Sequence, residues 1–169
     1  MRIFRNLMTL VFALTLLAAP AALGQMPNGY GAPIRLDVAR RVASAAIAEG
    51  KKNGWTVAVA IVDPGGALAY FERLDGTQAG SSEVALAKAR SAVAFKRPTK
   101  AFEDAVAGGR HAILSLPGAM PLEGGIPLVD GGQIIGAIGV SGVTSEQDGV
   151  CAKAGAAVLG APAKPAKKN

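Results

Sequence analysis

Two glycine-rich turns bracket the stretch of this chain best suited to holding a ligand. Gly124-Gly125 opens it, Gly139-Val140-Ser141-Gly142 closes it, and a helix start follows near Thr144. Such turns expose backbone N–H groups, and beside a helix N-terminus they can hold a carboxylate or a phosphate; glycine needed only for turn geometry is the competing reading. Asp63, Asp75, Asp130 and Asp148 are the recurrent acids. Asp63 and Asp130 have turn roles, and Asp148 falls in the first turns of a helix, where the macrodipole favours it. Acid–base chemistry needs two carboxyls in one pocket with separated pKa values, and spacing alone does not bring two together. Ser141 superficially resembles a G-x-S-x-G nucleophile, but the frame reads Gly139-Val140-Ser141-Gly142-Val143, so the second glycine is misplaced. Cys151 is the only cysteine, which excludes an intramolecular disulfide and suits a small buried side chain. One cysteine and one histidine are too few for a zinc or iron–sulfur centre.

The elements that position these residues read as follows. Asp37–Lys52 has helical periodicity, with Val38, Val42, Ala45, Ala46 and Ala48 as its apolar face and Asn53-Gly54 as its stop. Trp55–Val62 and Ala67–Arg73 form a hairpin about Asp63-Pro64-Gly65-Gly66. Small and large side chains alternate in the first of these strands, so both sheet faces should be covered. Ser81 or Ser82 caps an alanine-rich helix to about Lys96, in which the many alanines imply close packing, and Pro98 ends it. Thr99 caps a short helix to Ala107, and His111–Leu116 reads as a short strand. After a Pro117–Gly125 loop, Ile126–Val129 and Gln133–Val140 pair through Asp130-Gly131-Gly132. Gly136 and Gly139 inside that last strand imply close approach by another element or a ligand. Thr144 and Gln147 form a capping box for a final helix to about Leu159. The order predicts an α/β (α+β) sandwich, with a central antiparallel sheet flanked by helices.

The ends divide the chain further. Residues 1–24 read as a secretory signal: Arg2 and Arg5, an apolar run Leu7–Ala19, then small residues before Gln25. That run is shorter than the roughly 20 residues of a membrane span, so the expectation is a periplasmic or secreted protein with no stable membrane insertion after signal removal. Residues 25–35 are a lead-in, 36–160 one domain, and 161–169 a disordered basic tail. Setting aside Arg2, Arg5, Lys164, Lys167 and Lys168 reduces a net charge of +6 to 13 basic against 12 acidic residues. With no basic excess on the domain, nucleic acid is rejected as a partner.

Gly124–Asp148, GGIPLVDGGQIIGAIGVSGVTSEQD, resembles the final block of the DUF336 family, also called GlcG/HbpS-like. So do Val57–Gly76 (VAVAIVDPGGALAYFERLDG), Lys88-Ala89-Arg90-Ser91-Ala92, Pro98-Thr99 and Ala152-Lys153-Ala154-Gly155, in family order across about Leu36 to Gly160. The resemblance implies a profilin-like fold, a homo-oligomer (commonly an octamer), and tetrapyrrole binding in some members. His111 is then the only imidazole available to haem iron, and Met120 a thioether alternative. Arg110, and also Arg97 and Lys96, would meet propionates; Tyr70 is a phenolate candidate. The threonine that serves a haem-binding member is absent, with Ala119 its nearest equivalent. Gly124, Gly125, Gly139, Ser141 and Gly142 complete the candidate cofactor-binding set.

Three functions follow. The first is an exported haem or tetrapyrrole binder for capture, buffering or sensing. The second is an enzyme or binding protein for a small carboxylic acid in glycolate or aromatic catabolism, with Asp148 or His111 moving a proton. The third is a ligand-free structural subunit of an oligomer. The residues leave catalysis open.

Overall fold

The computed structural model describes residues 28–160; the expected signal segment and basic tail lie outside them. Four helices, α1 (Leu36–Lys52), α2 (Ser81–Ala94), α3 (Lys100–Ala107) and α4 (Ser145–Ala156), accompany four strands: β1 (Ala58–Val62), β2 (Leu68–Arg73), β3 (Gly125–Asp130) and β4 (Gln133–Ser141). The strands form one antiparallel sheet in the order β2-β1-β4-β3. This is the α+β fold that the hairpin signals imply.

Both hairpins rest on local turn chemistry. Asp63 Oδ1 accepts from the N–H groups of Gly65 and Ala67, both at 2.9 Å. Gly131 and Gly132 take positive φ between β3 and β4, the conformation a two-residue hairpin turn requires. The capping box forms as read: Gln147 N–H donates to Thr144 Oγ1 and Thr144 N–H to Gln147 Oε1.

The two sheet faces are built differently. Val57, Val59, Ile61, Ile138 and Val140 pack under α1 and α4 with Leu128 and Cys151. Each such buried aliphatic side chain contributes about 1.5–3 kcal/mol. On the other face Ala58, Ala60, Ala137 and Gly139 lie under α2, whose own contacts are Ala85, Ala89 and Ala92. A Cβ on Gly139 would stand 2.0 Å from the Ala85 carbonyl oxygen. The strand glycine therefore serves close helix–sheet packing, one of its two expected uses.

The structure corrects several local expectations. The α1 face turns through Ala39, Val42, Ala43, Ala46 and Ile47, while Ala48 is exposed; the stripe follows Ile47, the largest apolar side chain on that stretch. Gly80, not a serine, occupies the α2 N-cap, and Ser81 Oγ is buried without a partner. His111–Ser115 forms a 3-10 turn rather than a strand. Gly109, at φ 89°, has just reversed the chain out of α3, and no sheet edge is placed beside the segment to pair it. α4 stops at Ala156 and Ala157–Gly160 continues as 3-10.

The described part of the lead-in, residues 28–35, forms a strap. Gly31 and Ile34 N–H groups donate to the Ile134 and Ile135 carbonyls, and Ile134 N–H donates to Gly29 O. Tyr30 O–H reaches Val93 O at 2.8 Å, with the Lys96 ammonium over its ring.

Candidate functional site

Gly124 and Gly125 lie where α2, α4 and the start of β3 converge. Lys88, in the middle of α2, and Asp148, in the first turns of α4, are almost fully buried, yet they form an ion pair of 2.7 Å. The Lys88 ammonium also donates to Val140 O at 3.1 Å, and Asp148 Oδ1 accepts from Val143 N–H at 3.2 Å. A Cβ on Gly124 would stand 2.9 Å from Lys88 Nζ, and one on Gly125 2.4 Å from the Lys88 carbonyl oxygen. These two glycines let a lysine cross the end of the sheet and tie together helices on its opposite faces. Burial pushes the Asp148 carboxyl above its ordinary range, with Lys88 pulling it partly back.

The backbone donors of the glycine turns are largely spent within the protein. Gly125 N–H donates to Thr99 Oγ1 at 2.9 Å, and that hydroxyl donates to Leu122 O at 2.6 Å. Thr99 therefore does not cap α3 through its side chain, as expected, but clasps α3 to β3. Gly139 pairs with Ala60 and Gly125, and Ser141 with Ala58. Gly142 sits against Thr56, where a Cβ would lie 2.2 Å from its carbonyl oxygen. The carboxylate held at the α4 N-terminus is the protein's own Asp148.

In front of Gly124 and Gly125 opens a cleft of about 340 Å³. Its walls are mostly apolar, from Pro98, Ile126 and the glycine backbone, and two lysines stand at it, Lys100 from α3 and Lys153 from α4. Glu123 lies in the wall, 5% exposed, its Oε1 accepting from Lys153 Nζ at 2.8 Å. Its backbone N–H donates to Glu103 Oε2 at 2.6 Å. Lys100 pairs with Asp104 and with Glu103.

His111, Arg110 and Met120 belong to a different surface. Arg110 and His111 are exposed at the entrance to the 3-10 turn; Met120 is half-buried, its N–H on Ser91 Oγ at 3.0 Å. The same segment carries Leu114 at 64% exposure, with Leu116 and Leu122 also exposed. The candidate residues therefore divide between this apolar segment, the cleft and the packed sheet. Arg97 lies over the Phe102 ring, Lys96 donates to Asn28 O, and the Tyr70 hydroxyl donates to Glu72. Among the described residues no cluster of His, Cys, Asp and Glu could hold a metal ion by itself, and no helix is long and apolar enough to cross a membrane. Burial raises the Cys151 thiol to about 11.

Spacing gave no sign of Lys88 as Asp148's partner, because 60 residues separate them. The pairing of Lys153, quoted only within the Ala152–Gly155 family block, with Glu123 likewise had no signal in spacing, since 30 residues separate them.

The profile of the family described as "Haem degrading protein HbpS-like" matches residues 34–157. Protein GlcG of Escherichia coli K12 is 44% identical over 108 residues, 62% of this chain and 81% of GlcG. The crystal structure of a double mutant of Streptomyces reticuli HbpS matches with TM-score 0.71 and 34% identity over 85% of this chain and 99% of that one. The crystal structure of a PduOC:heme complex matches with TM-score 0.68 and 29% identity, covering 75% of this chain and 95% of that one. The chain belongs to the HbpS-like (DUF336) family.

Proposed function

We propose that this member of the HbpS-like family is an exported, homo-oligomeric haem-binding protein that captures, buffers or senses haem in the periplasm or outside the cell. The observation that carries the reading is the segment from Arg110 to Leu122. It joins the sole histidine to leucines that remain exposed, and apolar surface left open beside polar groups marks a place where something docks. The heme complex of PduOC and the family's description support it from outside the chain.

The residues present fit the group. His111 offers an imidazole and Met120 a thioether, both axial donor types for haem iron. Leu114 and Leu116 offer apolar contact for a macrocycle, and the Arg110 guanidinium offers charge-assisted hydrogen bonds for a propionate. When bound, haem supplies the iron; the chain's part is to ligate it, cover it and hold its carboxylates. A homo-oligomer, an octamer as the family resemblance implies, would bring a second copy of this segment to cover the opposite face.

Titrating the purified protein with haemin while following the Soret band tests this. The expected result is a saturable, red-shifted band with a fixed haem-to-subunit ratio. His111→Ala should shift or remove the band while the far-UV circular dichroism stays unchanged, since the side chain is exposed. Only the broad absorbance of free haemin would sink the reading. Unchanged spectra in both His111→Ala and Met120→Ala would remove those two ligand assignments.

A further inference from the structure

Given the homo-oligomeric reading above, on which this rests, we infer that the outer edge of β2 is an interface between copies of this chain: β2 pairs antiparallel with β2 of a second copy, centred on Phe71, and joins two four-stranded sheets into one. β2 ends the sheet order β2-β1-β4-β3, and among the described residues no backbone group is bonded to its outer side. The opposite end of the sheet is closed. There Gly125 N–H donates to Thr99 Oγ1, Gly125 O accepts from Thr99 N–H, and the next outward-facing residue of β3, Pro127, has no N–H to offer.

Leu74 N–H donates to Val57 O, and residues of an antiparallel pair alternate between bonded and non-bonded positions. Glu72, opposite Val59, and Tyr70, opposite Ile61, therefore spend their backbone groups on β1, whereas Phe71 and Arg73 turn theirs outward. An unpaired edge of this kind is a template for another strand. The sheet face beside it is also bare. Phe71 stands opposite Ala60, on the face where α2 packs, but α2 lies over β1, β4 and β3 rather than over β2. Leu68 and Phe71 are left 50% and 38% exposed.

Symmetry and charge choose the register. A twofold axis between identical antiparallel strands sets one residue opposite its own counterpart. Centring on Glu72 or on Arg73 would place like charges opposite each other, which is destabilising. Centring on Tyr70 would set Glu72 opposite the apolar Leu68 of the second copy. Centring on Phe71 makes a bonded pair of the two phenylalanines, each N–H donating to the other's carbonyl, and sets Tyr70 opposite the second copy's Glu72. That is a hydroxyl facing a carboxylate, the partnership Tyr70 and Glu72 already form within one strand at 2.9 Å. The two phenyl rings then lie side by side on the bare face and cover each other. The register shift between Ile61 and Val62 marks a bulge near Ala69, which confines the pairing to a few residues about Phe71.

Cysteine crosslinking of the purified haem-free protein tests the register. Bonded antiparallel partners have Cα atoms about 5.5 Å apart, inside the range of about 4.4–6.8 Å that a disulfide spans. Under mild oxidation Phe71→Cys should therefore form a covalent dimer at least about tenfold faster than Leu68→Cys, although Leu68 is the more exposed of the two. The native Cys151 is buried and supplies no competing link. Tyr70→Cys mixed with Glu72→Cys should join to each other faster than either joins to itself. Phe71→Lys, which sets like charges at the axis, should lower the mass of the oligomer in sedimentation while the far-UV circular dichroism stays unchanged. An oligomeric parent in which Phe71→Cys links no faster than Leu68→Cys, or in which Phe71→Lys folds and keeps the full mass, would overturn this interface and leave the oligomer reading standing. A parent that sediments as a monomer at every concentration would overturn both.

Discussion

Removing Lys88 alone should be among the most damaging single substitutions in the domain, and removing Asp148 with it should restore most of the loss. The two groups are 1% and 3% exposed and 2.7 Å apart. Deleting one partner of such a pair leaves the other charge buried and uncompensated, at about 3–5 kcal/mol. For a domain of this size that corresponds to roughly 10–20 °C in Tm. Lys88→Met should therefore cost about 3–5 kcal/mol at pH 7, measured by urea unfolding, and Asp148→Leu a similar amount. The double variant replaces an ion pair by apolar side chains and should return to within about 2 kcal/mol of the parent. The sign of the pH effect follows from the Asp148 carboxyl, whose pKa burial already raises and Lys88 partly lowers. Without the lysine that pKa rises further. A folded-state pKa above the unfolded value means stability is retained at acid pH and lost as pH rises through the folded value. The Lys88→Met penalty should accordingly be smaller at pH 4 than at pH 7, and the double variant should lack this dependence. Single-variant losses below about 1 kcal/mol, or additive losses in the double variant, would refute the reasoning.

Three further outcomes follow from the packing. Thr99→Val leaves the Gly125 N–H and the Leu122 carbonyl without their shared hydroxyl and should cost about 1–3 kcal/mol in chemical denaturation. Gly139→Ala drives a methyl group into the Ala85 carbonyl and should lower stability by about 1–3 kcal/mol or more, read as a fall in Tm. Cys151, buried and with its thiol raised to about 11, should resist a thiol reagent at pH 8 in the folded protein and react promptly in urea; equal rates in both would contradict its placement.

What could be read in advance was whatever chemistry acts within a few residues. The Asp63 turn, the Asp130-Gly131-Gly132 hairpin and the Thr144–Gln147 box each satisfy backbone groups from their own neighbourhood, so the two hairpins and the antiparallel character of the sheet were legible in the sequence, whereas the β1–β4 pairing that joins the hairpins was not. The alternation of small and large residues in β1 likewise foretold a sheet covered on both faces. What escaped was anything joined across the fold. Asp148 had a sufficient local explanation in the helix dipole, and Lys88 entered only as part of the Lys88–Ala92 family block, so nothing pointed from one to the other. Thr99 sits where a cap belongs, yet its hydroxyl is drawn to β3. The apolar run His111–Leu116 has strand composition, but strand formation depends on an available edge, which the local residues cannot reveal.

The strap formed by the first described residues bears on the order of folding. Its contacts close very long loops: Asn28 reaches the Gly132 carbonyl across 104 residues, and Tyr30 reaches Val93 across 63. Closure entropy for such loops must be met before the contact returns anything, and the β3–β4 hairpin that receives the strap must already exist. The first of the described residues are therefore among the last to settle, and they can detach without dismantling the sheet. Amide exchange should register this as a separate, faster-opening unit, in which the Gly31 and Ile34 amides lose protection while those of β1 keep theirs.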